Sequence, residues 1–213
     1  VDGGNTLSNQ EVILVGAPRS GTNMLRDILT TLEGVSTWPC DEINYIWRHG
    51  NARYPSDEFG PQLARPDVAS FIRKKFAQIR RWSNSPVIVE KTCANTLRIP
   101  FVAEILPDAK YIHIIRDGVD ATGSAKLRWK AELDLPYILK KARFVPVTDL
   151  PYYGSRYIGN RLHRLFSGTK QLAYWGPTLD GMDSLLARYS LIEICALQWQ
   201  QCVRKAEADL ASL

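Results

Sequence analysis

The chain lacks any long hydrophobic run. Its 213 residues contain no stretch of 18 consecutive apolar side chains, so no segment is expected to span a membrane. Cysteine is scarce as well, and the spacing of its four thiols fits neither a zinc site nor a disulfide framework. No Asn-x-Ser/Thr sequon occurs. These absences favour a reducing, cytoplasmic location, and they leave open the lumenal domain of a processed membrane enzyme.

The length and the 45% hydrophobic content are sufficient for one domain with its own core. Residues 1–10 are polar and Gly-rich, so we expect a disordered N-terminal end before a single domain over residues 11–213. Residues 130–180 are rich in aromatics, Gly and Pro, which is typical of a substrate-binding excursion or of an irregular cap. The oligomeric state does not follow from these patterns.

The charge distribution favours anionic partners. The net charge is +5, and the stretch Lys126–Lys170 holds ten Lys and Arg residues against three Asp and Glu residues. Such a stretch is either a solvated basic face or a surface for an acidic ligand. Because no nucleic-acid-binding motif accompanies it, nucleic acid is not expected as a partner.

Short β-branched apolar segments alternate with amphipathic helical segments along the chain. Segments 11–16, 86–90 and 111–115 have the composition of buried strands, and residues 67–82 have the apolar spacing of a helix. This alternation predicts an α/β fold with a central parallel sheet and helices on both faces.

The first strand runs into a glycine-containing turn. Gly16-Ala-Pro-Arg19-Ser20-Gly21-Thr22 resembles a P-loop, in which glycines let the backbone wrap an anion at a helix N-terminus. An ATP-type loop carries Lys directly after the second Gly, whereas this chain has Thr22 there and a cation at Arg19. The difference argues against a P-loop kinase or NTPase. Both that class and a non-catalytic nucleotide-binding module are kept as alternatives.

A second strand end carries Arg116 and Ser124, eight residues apart. With Arg19-Ser20-Gly21-Thr22, this pattern resembles the sulfotransferases that use 3′-phosphoadenosine 5′-phosphosulfate (PAPS). The resemblance implies a P-loop-type three-layer α/β fold. It also implies two groups of donor-binding residues: Arg19, Ser20, Gly21, Thr22 and Asn23 for the 5′-phosphosulfate, and Arg116 and Ser124 for the 3′-phosphate.

A third motif, Val89-Glu90-Lys91-Thr92, is similar to the Glu-Lys-Thr/Ser stretch of the carbohydrate sulfotransferases, whose lysine lies near the transferring group. The cytosolic small-molecule branch has a histidine base two residues after the lysine, and this chain has Cys93 there. The carbohydrate and tyrosylprotein branches use a glutamate after the second strand, and Glu42 matches it. Asp41 and Glu90 are alternative bases.

The resemblance implies transfer of a sulfuryl group from PAPS to an acceptor hydroxyl, with release of 3′-phosphoadenosine 5′-phosphate (PAP). The expected acceptor is a carbohydrate or another anionic or sugar-bearing molecule. A protein tyrosine or a small molecule is the alternative. Glu42 would act as general base, and Arg19 and Lys91 would stabilise charge on the transferring group. No cluster of His, Asp and Glu suggests a metal, and none is expected to be required.

Overall fold

The computed structural model describes residues 8–129, 143–154 and 175–213. Its sheet has four parallel strands in the order β2-β3-β1-β4. The strands are β1 (Gln10–Val15), β2 (Val35–Thr37), β3 (Val87–Lys91) and β4 (Lys110–His113). A parallel sheet flanked by helices confirms the predicted α/β fold class.

The described helices connect and flank these strands. They are α1 (Thr22–Leu29), α2 (Asn44–Trp47), α3 (Pro66–Ser83), α4 (Ile99–Ile105), α5 (Gly118–Trp129), α6 (Met182–Arg188) and α7 (Leu191–Ala211). Three short 3-10 helices lie at Pro61–Leu63, Cys93–Leu97 and Val147–Asp149.

Two regions of apolar packing surround the sheet. The larger one includes the β1 side chain Ile13 and the aromatic side chains of Trp47, Phe76 and Phe101. The smaller one lies around α5 and α7 and includes Trp129. Burial of apolar residues in both regions fixes the helices against the strands. The loops at the strand ends join these fixed elements, so their ends are fixed as well.

A network of buried polar side chains fixes the region around α2. The Arg98 guanidinium is fully buried and donates to Asn95 Oδ1 at 2.8 Å, Asn44 Oδ1 at 2.5 Å and Asp57 Oδ1 at 3.4 Å. Arg48 donates to the same Asp57 oxygen at 2.7 Å. Because a buried charge is tolerated only when it is paired, this network keeps α2 in a defined position relative to the end of β3.

Segment 175–178 is attached to the core through two side chains. The backbone N–H of Thr178 donates to Asp57 Oδ2 at 2.8 Å, and the Asp57 N–H donates to the Thr178 carbonyl at 2.7 Å. Gln198 on α7 donates to the carbonyls of Trp175 and Pro177 at 3.0 and 2.8 Å. Of the expected excursion at 130–180, residues 143–154 and 175–180 are described, and the rest lies outside the described residues.

The expected N-terminal boundary lies close to the start of the sheet. Residues 1–7 of the predicted disordered end lie outside the described residues, and Gln10 already belongs to β1. Within the described ranges, no helix is both long enough and apolar enough to cross a bilayer.

Gly16 is required where β1 enters the loop, and its replacement tests the fold. A Cβ at this position would lie 2.7 Å from Ile114 Cγ2 and 2.8 Å from both the Ile114 carbonyl oxygen and Thr22 Cγ2. We expect Gly16→Ala to lower the free energy of unfolding by about 1–3 kcal/mol because the backbone must shift.

Gly123→Ala is the matched control, because a Cβ at Gly123 on α5 meets nothing within 4 Å. This change should leave the free energy of unfolding unchanged or raise it by up to about 1 kcal/mol, since alanine favours a helix over glycine. Urea denaturation measures both variants. Equal stability of the two would contradict the close approach at Gly16.

Candidate functional site

The predicted site residues lie at one edge of the sheet. β1 pairs with β3 on one side and with β4 on the other, and all three strands run in the same direction. The loop 16–22 after β1 therefore lies between the residues that follow β3 and those that follow β4. Ligands of open α/β sheets bind at this carboxyl edge.

The backbone of the loop is folded back on itself. Arg19 has a φ of 71° and Gly21 a φ of 91°, both in the left-handed region, and the Ser20 N–H donates to the Ala17 carbonyl at 3.2 Å. α1 begins directly after the loop, and no side chain caps its N-terminus. The first-turn N–H groups of a helix have no partner within the helix, so they are available to an anion.

Ser20 adds a second observation at the same place. Its side chain is buried, and within the described residues its Oγ has no hydrogen-bond partner. A buried hydroxyl without a partner costs free energy unless a ligand or water satisfies it. Thr22 is buried beside it, with its Oγ1 3.9 Å from Cys93 Sγ, whereas Asn23 is exposed in the first turn of α1.

Arg19, Arg116 and Ser124 lie together on the β4 side of the loop. Arg19 Nε donates to Ser124 Oγ at 2.9 Å, and Arg116 donates to the Arg19 carbonyl at 3.2 Å. Arg116 also approaches the Asp120 carboxylate at 3.4 Å, and its side chain stays 45% exposed. The residues that the sequence assigned to two ends of one donor are thus in direct contact.

Trp199 holds the backbone of the second motif, a role that no pattern in the sequence indicates. Its Nε1 donates to the Arg116 carbonyl at 3.1 Å. Its ring lies against Gly118, where a Cβ would come within 2.9 Å of the ring carbons. The close contact requires glycine at this position, and it fixes the turn from which the Arg116 side chain extends.

Lys91 and Glu42 meet on the β3 side of the loop. Lys91 Nζ donates to Glu42 Oε1 at 2.9 Å, and the backbone N–H of Cys93 reaches the same oxygen at 3.4 Å. Lys91 is buried, whereas the Glu42 side chain is 27% exposed. The pair therefore presents a carboxylate to solvent beside a buried cation.

The protonation states of Lys91 and Cys93 follow from this contact. Burial is the largest single effect and lowers the pKa of Lys91, but the Glu42 carboxylate and Cys93 together raise it by more, so the pKa is raised overall. Burial raises the pKa of the Cys93 thiol, and Glu42 raises it further. At neutral pH, Lys91 is a cation and Cys93 is a neutral thiol, so Cys93 does not replace a histidine base.

The two alternative bases differ from Glu42 in their surroundings. Glu90 is completely buried, and its carboxylate accepts hydrogen bonds from Thr92 Oγ1 at 2.5 Å and Asn95 Nδ2 at 2.8 Å. Asp41 is 41% exposed and lies 3.7 Å from the Arg26 guanidinium. Burial withholds Glu90 from any acceptor in this structure, while Asp41 stays open to solvent.

An aromatic cluster lies beside α2. The ring of Tyr45 contacts that of Tyr153 edge to face at 4.7 Å, and Tyr152 contacts Tyr153 at 5.3 Å. His49 Nδ1 lies 2.8 Å from Asp149 Oδ2 and anchors the same segment. This part of the predicted excursion therefore packs against Tyr45, which follows Glu42 by three positions in the chain.

No group of three or more His, Cys, Asp or Glu residues within the described part of the chain is arranged to hold a metal ion.

Residues 44–143 match a family model described as the sulfotransferase family. The match supports a sulfotransferase family. It spans Lys91, Arg116 and Ser124, and it leaves the loop 16–22 and Glu42 outside its range. It supports sulfuryl transfer in general and does not distinguish the branches. No curated protein matches the chain.

The buried Glu90 carboxyl makes stability depend on pH. Burial raises the pKa of Glu90 from 4.5 to about 7, so its stabilising contribution is complete below pH 4.5 and is lost as the pH rises through 7. Glu90→Gln removes this titration. We expect the free energy of unfolding of the wild type, relative to the variant, to fall by about 3 kcal/mol between pH 4 and pH 9.

Urea denaturation of both proteins at several pH values measures the difference. A difference between the two proteins that is constant across this range would contradict the raised pKa.

Proposed function

We propose that the chain transfers a sulfuryl group from PAPS to a hydroxyl of a carbohydrate acceptor. The observation that carries this proposal is the pairing of Lys91 with Glu42 on one side of the loop 16–22, opposite Arg19, Arg116 and Ser124 on the other. The first group suits an acceptor hydroxyl and the second suits a phosphate.

The loop fits the donor by its chemistry. Ser20 Oγ is buried without a partner within the described residues, and α1 has no side-chain cap, so both can bond anionic oxygens. Arg19, Thr22 and Asn23 border the same position. Arg116, nearly half exposed, and Ser124 would hold the 3′-phosphate, where a guanidinium can donate two parallel hydrogen bonds.

Glu42 is the proposed general base. Its carboxylate is partly exposed and accepts from Lys91 Nζ, so it can take the proton of an acceptor hydroxyl as the sulfuryl group transfers. Lys91 has three N–H donors. It can therefore bond Glu42 and an oxygen of the transferring group at the same time. Arg19 bonds Ser124 Oγ on the other side of the loop, and it would supply a second cation to the transferring group once donor binding releases that bond. PAPS supplies the sulfuryl group.

Three features support a carbohydrate acceptor. The base position is held by Glu42, as in the carbohydrate and tyrosylprotein branches that the sequence resembles, while Cys93 is a neutral buried thiol. The rings of Tyr45, Tyr152 and Tyr153 lie next to α2, and aromatic faces suit the apolar faces of sugars. The basic stretch Lys126–Lys170 suits an acceptor that carries carboxylate or sulfate groups.

Binding of PAP tests the donor site without knowledge of the acceptor. Thermal unfolding is compared with PAP, with ADP, and with ATP plus Mg²⁺ at equal concentrations. A ligand specific for the folded state stabilises it by about 2.7 kcal/mol at a hundredfold excess over Kd. We expect stabilisation by PAP and much less by the other two.

Arg116→Ala should remove most of the stabilisation by PAP, because Arg116 is the exposed cation among the residues proposed to bind the 3′-phosphate. Arg128→Ala is the matched control: Arg128 is an exposed arginine near the end of α5, and its loss changes the net charge equally. Stabilisation by ATP plus Mg²⁺ without any by PAP would refute the sulfotransferase proposal and favour a kinase.

Replacement of the proposed base separates binding from chemistry. Glu42→Gln should lower the rate of sulfuryl transfer by about 10²–10⁴-fold while PAP affinity is retained, since a general base contributes about that factor. Transfer of ³⁵S from labelled PAPS to a panel of saccharides, tyrosine peptides and phenols measures the rate and identifies the acceptor class.

Asp41→Asn is the control for its neighbour and should keep wild-type rates. Loss of transfer in Asp41→Asn with full activity in Glu42→Gln would assign the base to Asp41. Binding of PAP without transfer to any acceptor would favour a nucleotide-binding module.

A further inference from the structure

Thr92 follows Lys91 in the chain, and its side chain contacts the backbone next to Glu42. It is completely buried, and its Oγ1 takes part in two hydrogen bonds. It donates to Glu90 Oε1 at 2.5 Å, and it accepts from the backbone N–H of Ile43 at 3.2 Å. Ile43 follows Glu42 directly in the chain. We propose that Thr92 is a positioning residue that holds the Glu42 carboxylate against Lys91. The catalytic consequence of this positioning rests on the proposed function of Glu42.

Glu90 sets the direction of the Thr92 hydroxyl. The backbone of Thr92 is extended, with φ −133° and ψ 114°, and residues two apart in an extended chain point to the same side. This geometry brings the Thr92 hydroxyl to the Glu90 carboxylate, whose other oxygen accepts from Asn95. A hydroxyl has one proton, and it is directed to Glu90. Its lone pairs are therefore left to face the Ile43 N–H.

Glu42 depends on this contact because it lies outside regular secondary structure. It belongs to the segment between the end of β2 and the start of α2. The end of β3 holds this segment at three points, namely Lys91 Nζ and the Cys93 N–H on the Glu42 carboxylate, and Thr92 Oγ1 on the Ile43 N–H. Of these three contacts, only that of Thr92 is made to the backbone, directly after Glu42; Arg26 holds the backbone before Glu42 through the Asp41 carbonyl at 3.3 Å. The Thr92 contact therefore limits where the carboxylate can reach from its C-terminal side.

Loss of the hydroxyl would leave two buried groups unsatisfied. The Ile43 N–H would lose its acceptor, and Glu90 Oε1 would lose the Thr92 donor. A buried N–H without a partner is costly, so the backbone at Ile43 is expected to move. Small displacements of a catalytic group reduce the rate strongly, by about 100-fold for 1 Å in well-aligned sites. Of the residues proposed for donor binding, Thr22 touches this region through Cys93 Sγ at 3.9 Å, whereas Arg19, Arg116 and Ser124 bond one another on the β4 side of the loop.

The kinetic test compares Thr92→Val with Thr92→Ser. Valine keeps the shape and removes the hydroxyl, whereas serine keeps the hydroxyl. With PAPS and the acceptor identified by the ³⁵S screen, we expect Thr92→Val to lower kcat at least about tenfold and to leave the KM for PAPS within about twofold. Thr92→Ser should restore kcat to near the wild-type value.

Thr37→Val is the matched control for loss of a threonine hydrogen bond beside β3. Thr37 Oγ1 donates to the Val89 carbonyl at 2.8 Å, and Thr37 makes no contact with the Glu42 carboxylate. This variant should keep wild-type kcat. Thr92→Ala, which removes the same hydroxyl with a smaller side chain, is measured beside Thr92→Val in case the valine variant does not fold.

Crystal structures of the variants test the positioning directly, whether or not an acceptor is found. We expect the distance from Lys91 Nζ to Glu42 Oε1 to exceed about 3.5 Å without the hydroxyl and to stay near the wild-type 2.9 Å in Thr92→Ser. An unchanged contact in Thr92→Val or Thr92→Ala would overturn the proposal. So would a serine variant as slow as the valine variant. Absence of any sulfuryl transfer by the wild type would refute the proposed function, and the distances would still decide the role of Thr92.

Discussion

The parallel pairing of β1 with both β3 and β4 is the constraint on which the site depends. Leu14 lies opposite Lys91, and Val15 lies opposite His113, so the three strands end at nearly the same level. Residues that are about 70 to 100 positions apart in the chain, such as those of the pairs Thr22–Cys93 and Arg19–Ser124, are brought together by this register. A slip of one strand would turn its side chains to the other face of the sheet and separate them.

Charge is distributed around the end of β3 in alternating order. The Lys91 cation contacts Glu42, and the Arg98 guanidinium lies in the same buried region as Glu90 and Asp57. Burial lowers the pKa of Arg98 to about 10, which still leaves it charged at neutral pH. Removal of one member of such a set leaves an unpaired buried charge. Arg98, Glu90 and Asp57 are therefore buried, whereas the Glu42 carboxylate is partly exposed to solvent.

Much of the fold could be predicted from local patterns. The alternation of strands and helices identified the parallel sheet, and the helix expected over 67–82 is observed as Pro66–Ser83. Helix boundaries that depend on capping residues were not predicted. The apolar spacing of residues 184–210 alone predicts one helix, but Ser190 and Glu193 form a capping box that starts a separate α7. Residues 95–106, which Pro100 predicts to be an interrupted helix, are divided between the 3-10 helix Cys93–Leu97 and α4, and Pro100 lies in the first turn of α4, where its missing N–H is not needed.

The candidate site could be predicted where its residues belong to short motifs. Arg19, Lys91 and Arg116 were found because each follows a strand in a recognisable pattern, and Glu42 was found by resemblance. The same patterns gave no role to Trp199 or Thr92. Trp199 contacts Arg116 from 83 residues away, and Thr92 acts through Ile43, 49 residues away. Contacts of this kind depend on tertiary packing and leave no periodic or local signal.

The anchoring of segments 143–154 and 175–178 has a consequence for the chain length between them. Asp149 is held by His49, and Thr178 is held by Asp57, so the chain on either side of residues 155–174 is fixed to the core by its own contacts. The entropy of closing a loop between fixed ends rises slowly with its length. Changes in chain length between these anchors therefore need not disturb the sheet or the loop 16–22.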